Sequence, residues 1–445
     1  MAATKFLRIA ALAGLLAVAS LPLQAAVAIQ HWQTSSGAEV YFVENHDLPI
    51  LDVSVNFAAG SSRDVRAKAG LAGLTQHIAK LGAAGMSDEE ISRRTADVGA
   101  VMGGSVDADR ASFTLRTLSS ARESAQALEI FTKILQQPDF PEAVLEREKA
   151  RVIAGLREAA TQPESIADKA FSAALYGDHP YALTGSGEPE SVAAITRDDL
   201  LAFYRGHYAA KGAVIAIIGD LSREAATQLA ESLTRGLPQA SAVAAPLPAV
   251  RYPTAARVEK IAHPAAQSHI LLGYPGVKRG DADYFPLYVG NYILGGGGFV
   301  SRLTEEVREK RGLAYSVYSY FLPLSDLGPF QIGLQTKREQ ADNALKLVRE
   351  TLERFIRQGP TPKELQAAKQ NIIGGFPLRI DSNGKILDYL AVIGFYRLPL
   401  TYLDDFNKQV DKVTVAQIKD AFARRIAPDK LVTVIVGTDA AASTK

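Results

Sequence analysis

The sequence predicts an α+β fold of two homologous domains, each a largely antiparallel sheet with helices packed on one face. Three observations carry that expectation. Short alternating segments rich in β-branched residues are interleaved with longer amphipathic ones, the two periods of strand and helix. The second half repeats the order of the first. Between them lies an Ala- and Pro-rich stretch with few charges, Leu237 to Pro253, which reads as a semi-extended linker.

The opening residues read as an export signal. Lys5 and Arg8 give a short positive start, and Ile9 to Leu23 is an apolar run of signal length. Ala26-Val27-Ala28 is an A-x-A cleavage pattern, so residues 1–28 are expected to be a signal peptide, with Gln24-Ala25-Ala26 a rival site. The alternative, an uncleaved anchor, asks a short run to cross a bilayer. No later stretch is apolar enough to do so. The expectation is a periplasmic or secreted protein with no membrane contact after cleavage.

Residues 29–236 form the first expected domain. Strands are expected at Glu39–Val43, Leu51–Phe57, Ser112–Arg116 and Ala213–Gly219, and a helix over Leu71–Leu81. Ser87-Asp88-Glu89-Glu90 and Thr196 with Asp199 are helix starts. Residues 254–441 form the second, with strands at Ser268–Gly273, Phe330–Thr336 and Leu431–Gly437 and helix starts at Thr361 and Thr414. Thr196 and Thr414 lie 218 residues apart, and so do Gly219 and Gly437. Leu128–Leu135 likewise matches Leu345–Leu352, and Glu148–Leu156 matches Ala368–Phe376. An ordered series of matches is the mark of duplication.

Composition removes several function classes. The 445 residues include no cysteine, which excludes disulfides, thiolate metal sites and cysteine nucleophiles. A net charge of +1 argues against nucleic acid, which would ask for a basic excess. No two of the 7 histidines are three or four apart, so none can pair on one helical turn. There is no G-x-S-x-G elbow and no phosphate loop.

The segment Leu71–Leu81 reads LAGLTQHIAKL. An inverted zinc peptidase motif, H-x-x-E-H, would put two ligands on one helical face and a water-activating glutamate before the second. The five corresponding positions are Gly73, Leu74, Thr75, Gln76 and His77. One ligand is replaced by hydrogen and the base by an amide. His77 stands alone, and its plain reading is a packed or hydrogen-bonded histidine.

In the second half, Leu294-Gly295-Gly296-Gly297-Gly298 is followed by Ser301-Arg302-Leu303 and by Glu306 to Ser316, EVREKRGLAYS. A glycine-rich turn, S-R-L and R-E-K-x-G-L-A-Y in that order resemble the pitrilysin/insulinase-type zinc metallopeptidases, including the mitochondrial processing peptidase subunits and bacterial two-domain relatives. The resemblance covers nearly the whole chain after residue 28. It implies a LuxS/processing-peptidase-like fold forming half of a clamshell. It implies that Arg308 and Tyr315 bind substrate peptide, a guanidinium donating to a carbonyl and a phenol to the developing oxyanion. It offers Gly295–Gly298 as a loop that admits substrate, against the alternative of a helix end and turn. His179-Pro180-Tyr181 matches a recurrent loop of the family that shapes the cleft.

The family's third zinc ligand, a glutamate, falls at Gly155, or at Ala154 one residue earlier. Glu148 lies two helical turns from Gly155, about 10 Å away, too far to replace it. The degenerate positions are thus Gly73, Gln76, His77 and Gly155, and no metal or catalytic residue is assigned to this chain. The expected function is a non-catalytic, substrate-binding subunit of a periplasmic heterodimer acting on unfolded peptides, with zinc on an H-x-x-E-H partner. The alternative is a peptide-binding or scaffold protein with no peptidase activity. A third reading, an independent zinc peptidase with displaced ligands, lacks the donors.

Overall fold

A computed structural model describes residues 27–239 and 246–438. The expected signal segment and both cleavage patterns fall on or reach into residues 1–26, outside the described residues, as do 240–245 of the expected linker. Residues 246–256 form neither helix nor strand.

The first half contains β1 (Gln30–Gln33), β2 (Glu39–Glu44), β3 (Ile50–Phe57), a small hairpin of β4 (Gly82–Ala83) and β5 (Met86–Ser87), β6 (Val101–Gly103), β7 (Ala111–Leu118) and β8 (Val214–Gly219). The second contains β9 (Arg257–Ala262), β10 (Gln267–Val277), β11 (Ser316–Phe321), β12 (Gly328–Lys337) and β13 (Val432–Thr438). The large sheets run β1-β2-β8-β3-β7-β6 and β11-β12-β10-β13-β9. Only β2–β8 and β13–β9 are parallel pairs; the rest are antiparallel. Without β1, the two orders superimpose strand for strand, as duplication requires. Thr196 and Thr414 both cap helices through reciprocal bonds, with Asp199 and Gln417.

Each sheet buries both faces, and the second face is covered from the other half. On β8, Ile215 and Ile217 point into the first half's own core with Leu200 and Leu229. Val214, Ala216 and Ile218 point the other way, against Leu387, Leu390 and Ala391 of helix Asn383–Phe395. On β13, Val432, Val434 and Val436 pack on Ala167, Phe171 and Leu175 of helix Pro163–Tyr176. The halves therefore exchange one helix each. This is why AVIAIIG and LVTVIVG read as unbroken apolar runs: a strand covered on both sides has no polar face to alternate with.

Two glycines make the exchange fit. A Cβ at Gly273 of β10 would lie 2.5 Å from Phe171 Cζ, and one at Gly394 would lie 2.5 Å from Val214 Cγ1. Polar ties run between the halves too. Asp109, 4 % exposed, accepts from Tyr181 Oη (2.7 Å), Tyr396 Oη (2.9 Å) and the Ser325 amide (2.7 Å).

Candidate functional site

The metal-helix positions lie on helix Leu71–Ile78, whose start is set by Gly70 in the left-handed region (φ 98°). Asp64 supplies the cap from outside the helix, accepting from the Gly70 amide at 2.8 Å and the Ala72 amide at 2.9 Å. Burial pushes its carboxyl up to about 7, against those amide bonds. The helix thus begins on a buried acceptor and presents Gly73, Gln76 and His77 along one side.

Each of these positions has been rebuilt. Gln76 is 4 % exposed, and its Nε2 donates 2.8 Å to the Ser112 carbonyl on β7. That bond needs an N–H; an ionised glutamate there would set one acceptor against another. Gly104, at φ 142°, makes room for it, since a Cβ there would lie 2.3 Å from the amide nitrogen. At Gly73, a Cβ would meet the Gly185 carbonyl at 3.2 Å, so a loop of the chain lies where the first histidine would grow. At Gly155 there is open space and no side chain.

His77 is not alone. Its Nε2 lies 3.1 Å from Glu148 Oε2, and Glu148 also accepts from Arg147 Nε at 2.9 Å. Burial raises the Glu148 carboxyl, but the bonds from Arg147 and His77 outweigh it and hold it below the usual range. Sequence spacing measured Glu148 against Gly155 on its own helix; the structure measures it against His77 on another, and joins them. The donors at hand are one imidazole and one carboxylate already shared with arginine. Among the described residues no group of three or more His, Asp or Glu side chains is placed to hold a metal. A zinc site with three protein ligands does not fit these residues.

Arg308 and Tyr315 lie together in the second half. Both line one shallow pocket of about 220 Å³ with Gly312, Leu313, Thr336 and Lys337. Arg308 stands over the exposed Phe299 ring at 5.2 Å and pairs with Glu309 at 3.5 Å. Tyr315 is 75 % exposed, with its backbone pinned by a 2.9 Å bond from its amide to Gln335. A large aromatic and a guanidinium held out at the surface can grip an extended peptide. The neighbouring Arg302 does the opposite: it is locked to Glu364 at 2.6 and 2.7 Å, which, with the Thr361 cap, holds that carboxyl near 2 despite burial. The motif therefore divides into a structural arginine and a presented one.

The glycine-rich segment closes helix Tyr284–Asn291 with a π-helical turn, Tyr292–Gly296. Cβ atoms at Gly295, Gly296 and Gly297 would lie 2.4 to 2.6 Å from Ser319, Asn291 and Tyr292 atoms respectively, and Gly298 has φ 62°. Packing accounts for the first three, and backbone geometry for the fourth. The turn then holds Phe299 and Val300 in solvent, 74 % and 73 % exposed, beside Arg308.

His179-Pro180-Tyr181 is a junction. His179 Nε2 reaches the Pro248 carbonyl at 2.8 Å, and Tyr181 Oη donates to Asp109 and accepts from the Asp326 amide, so this loop bonds both the inter-half connection and the second half. Sequence reasoning missed Asp109 and Tyr396, and weighed Glu148 only against Gly155 and not against His77; their contacts span 72, 287 and 71 residues, and no local pattern marks them.

The sequence profile described as Insulinase (Peptidase family M16) matches residues 40–187, and that described as Peptidase M16 inactive domain matches 194–372. A solved structure of a peptidase M16 inactive domain from Pseudomonas fluorescens is 40% identical, with TM-score 0.89, covering 93% of this chain and 98% of that one. A protein named non-peptidase homolog YmxG from Helicobacter pylori is 26% identical over 89% of this chain and 91% of its own length. An uncharacterized zinc protease of Streptomyces coelicolor is 27% identical, covering 82% and 80%.

Proposed function

Because the chain belongs to the M16, insulinase-type, peptidase family and its metal-helix positions are rebuilt for other bonds, we propose that it is the substrate-gripping, non-catalytic member of a two-chain peptidase. The observation that carries the reading is Gln76: the place of the water-activating base is taken by an amide that ties helix to sheet. An amide cannot act as general base. The pocket at Arg308 and Tyr315, by contrast, is open and carries the family's R-E-K-x-G-L-A-Y pattern.

In this reading Arg308 and Tyr315 face a zinc site on an H-x-x-E-H homologue, in a heterodimer shaped as a clamshell. The arginine orients the peptide carbonyl, and the phenol donates to the oxygen that gains charge as water adds. The substrate is an unfolded peptide, bound in part along a sheet edge. The assembly is exported, as the opening residues suggest.

The test is to purify the full chain alone and together with an intact H-x-x-E-H homologue from the same source, and to measure zinc content and peptide hydrolysis. The lone chain is expected to hold no stoichiometric zinc and cleave nothing, and the pair to cleave. Arg308→Ala and Tyr315→Phe should each lower turnover of the pair by roughly tenfold to a hundredfold. Stoichiometric zinc with cleavage by the lone chain would overturn the reading. A pair whose turnover ignores both substitutions would favour a peptide-binding scaffold instead, a reading that fits the non-peptidase name of the Helicobacter relative.

A further inference from the structure

A larger cavity, of about 680 Å³, lies between the two halves and shares none of its lining with the Arg308 pocket. Its size falls within the roughly 300–1,000 Å³ of small-ligand sites. The first half contributes Ser62, His207 and Lys211, and the second Phe395 and Arg397.

The wall carries three carboxylates and three cations, Arg63, Lys211 and Arg397, but they are not all paired with one another. Its three carboxylates are engaged. Glu39 accepts from Gln33 (2.5 Å) and contacts His31 (2.7 Å). Asp109 holds the two tyrosines and the Ser325 amide already described. Asp326 accepts from the Val250 and Leu327 amides, each at 2.8 Å. Lys211 and Arg397, both exposed toward the mouth, form no ion pair with any described residue. Deeper in, the Ser62 hydroxyl is on a residue 4 % exposed and has no hydrogen-bond partner, and buried His207 Nδ1 has none either. Buried polar atoms left unpaired in a native fold call for an explanation, and a ligand is one.

Arg397 adds a second, independent sign. It ends helix Asn383–Phe395 at φ 53°, a left-handed position where glycine is the usual occupant. Its amide bonds Gly394 at 3.2 Å and the next amide bonds Ile393 at 2.9 Å, so the helix end is closed correctly but on a strained residue. A long cation thus occupies a position where glycine would be easier.

We propose that this cavity binds the C-terminal carboxylate of a short peptide. Arg397 and Lys211 supply the charge, an arginine fork matching two carboxylate oxygens. Ser62 and His207 supply neutral polar contacts, His207 being held toward its neutral form by burial and by nearby Arg63. Phe57, Leu247 and Phe395 give apolar wall for the terminal side chain. The site is independent of Arg308 and Tyr315 and stands whether or not a peptidase partner exists.

Titration calorimetry on the full chain tests it, with four probes: the tripeptide Ala-Ala-Phe as its free acid, the same peptide as its C-terminal amide, acetate, and inorganic phosphate. The acid is expected to bind, with the amide, acetate and phosphate each at least about tenfold weaker. Arg397→Gly, which removes the charge and relieves the backbone, and Lys211→Ala should each weaken the acid by about tenfold, with melting temperatures reported alongside. Equal binding of acid and amide, no binding of the acid, phosphate as tight as the acid, or an Arg397→Gly protein with unchanged affinity would each overturn the proposal.

Discussion

Gln76 is where the departure from a working peptidase is most sharply written. The amide is buried and spends its proton on Ser112 (2.8 Å), so placing a glutamate there alone should harm the fold. The introduced carboxyl can donate to that carbonyl only while protonated, so its folded pKa is raised above the unfolded one. Its contribution is therefore intact below the usual carboxylate range and lost as pH rises through the raised value. Gln76→Glu should match the parent's urea midpoint near pH 4 and fall behind by about 1–3 kcal/mol at pH 8. An equal deficit at both pH values would mean that shape, not the proton, matters at this position. His77 teaches a related lesson about legibility. Its isolation in sequence was plain, but its partner was not, because Glu148 approaches from a different helix.

At the level of elements, the exchanged helices carry the most weight. Phe171 is 2 % exposed and enters a space that Gly273 leaves open. Phe171→Ala should destabilise by about 3–5 kcal/mol, and Gly273→Ala by about 1–3 kcal/mol, since its Cβ would press on both Phe171 Cζ (2.5 Å) and the Phe330 carbonyl (2.3 Å); combining the two should be less than additive by the share of the clash that Phe171 contributes. Guanidinium denaturation of the four proteins measures this, and strict additivity would sink the account. The strands with β-branched apolar runs were legible, β3, β8, β12 and β13 to within one or two residues at each end. Others were not. β9 reads RVEKIA with an exposed residue at nearly every other position, and β11, SVYSYF, begins only where the Arg–Tyr motif ends and carries no β-branched apolar run. That helices Pro163–Tyr176 and Asn383–Phe395 serve the opposite sheet was invisible, since amphipathicity names a buried face and not what buries it.

For the molecule as a whole, duplication was legible because capping boxes and terminal strands recur at one spacing, and both sheets bear it out in strand order. The interlocking of the halves predicts one cooperative transition. Far-UV and near-UV signals should change together on heating, and residues 27–239 or 246–438 expressed alone should bind ANS and lack near-UV structure. Two separate transitions, or a half that folds unaided, would contradict it. Mixing both halves should restore the native spectrum.

The reciprocal helix swap also fixes what this polypeptide is able to do mechanically. A hinge between its halves would have to tear two apolar seams at once, so the chain behaves as one stiff jaw. On the two-chain reading proposed above, a peptide would then enter by a parting of the two proteins and not by any bending within this one.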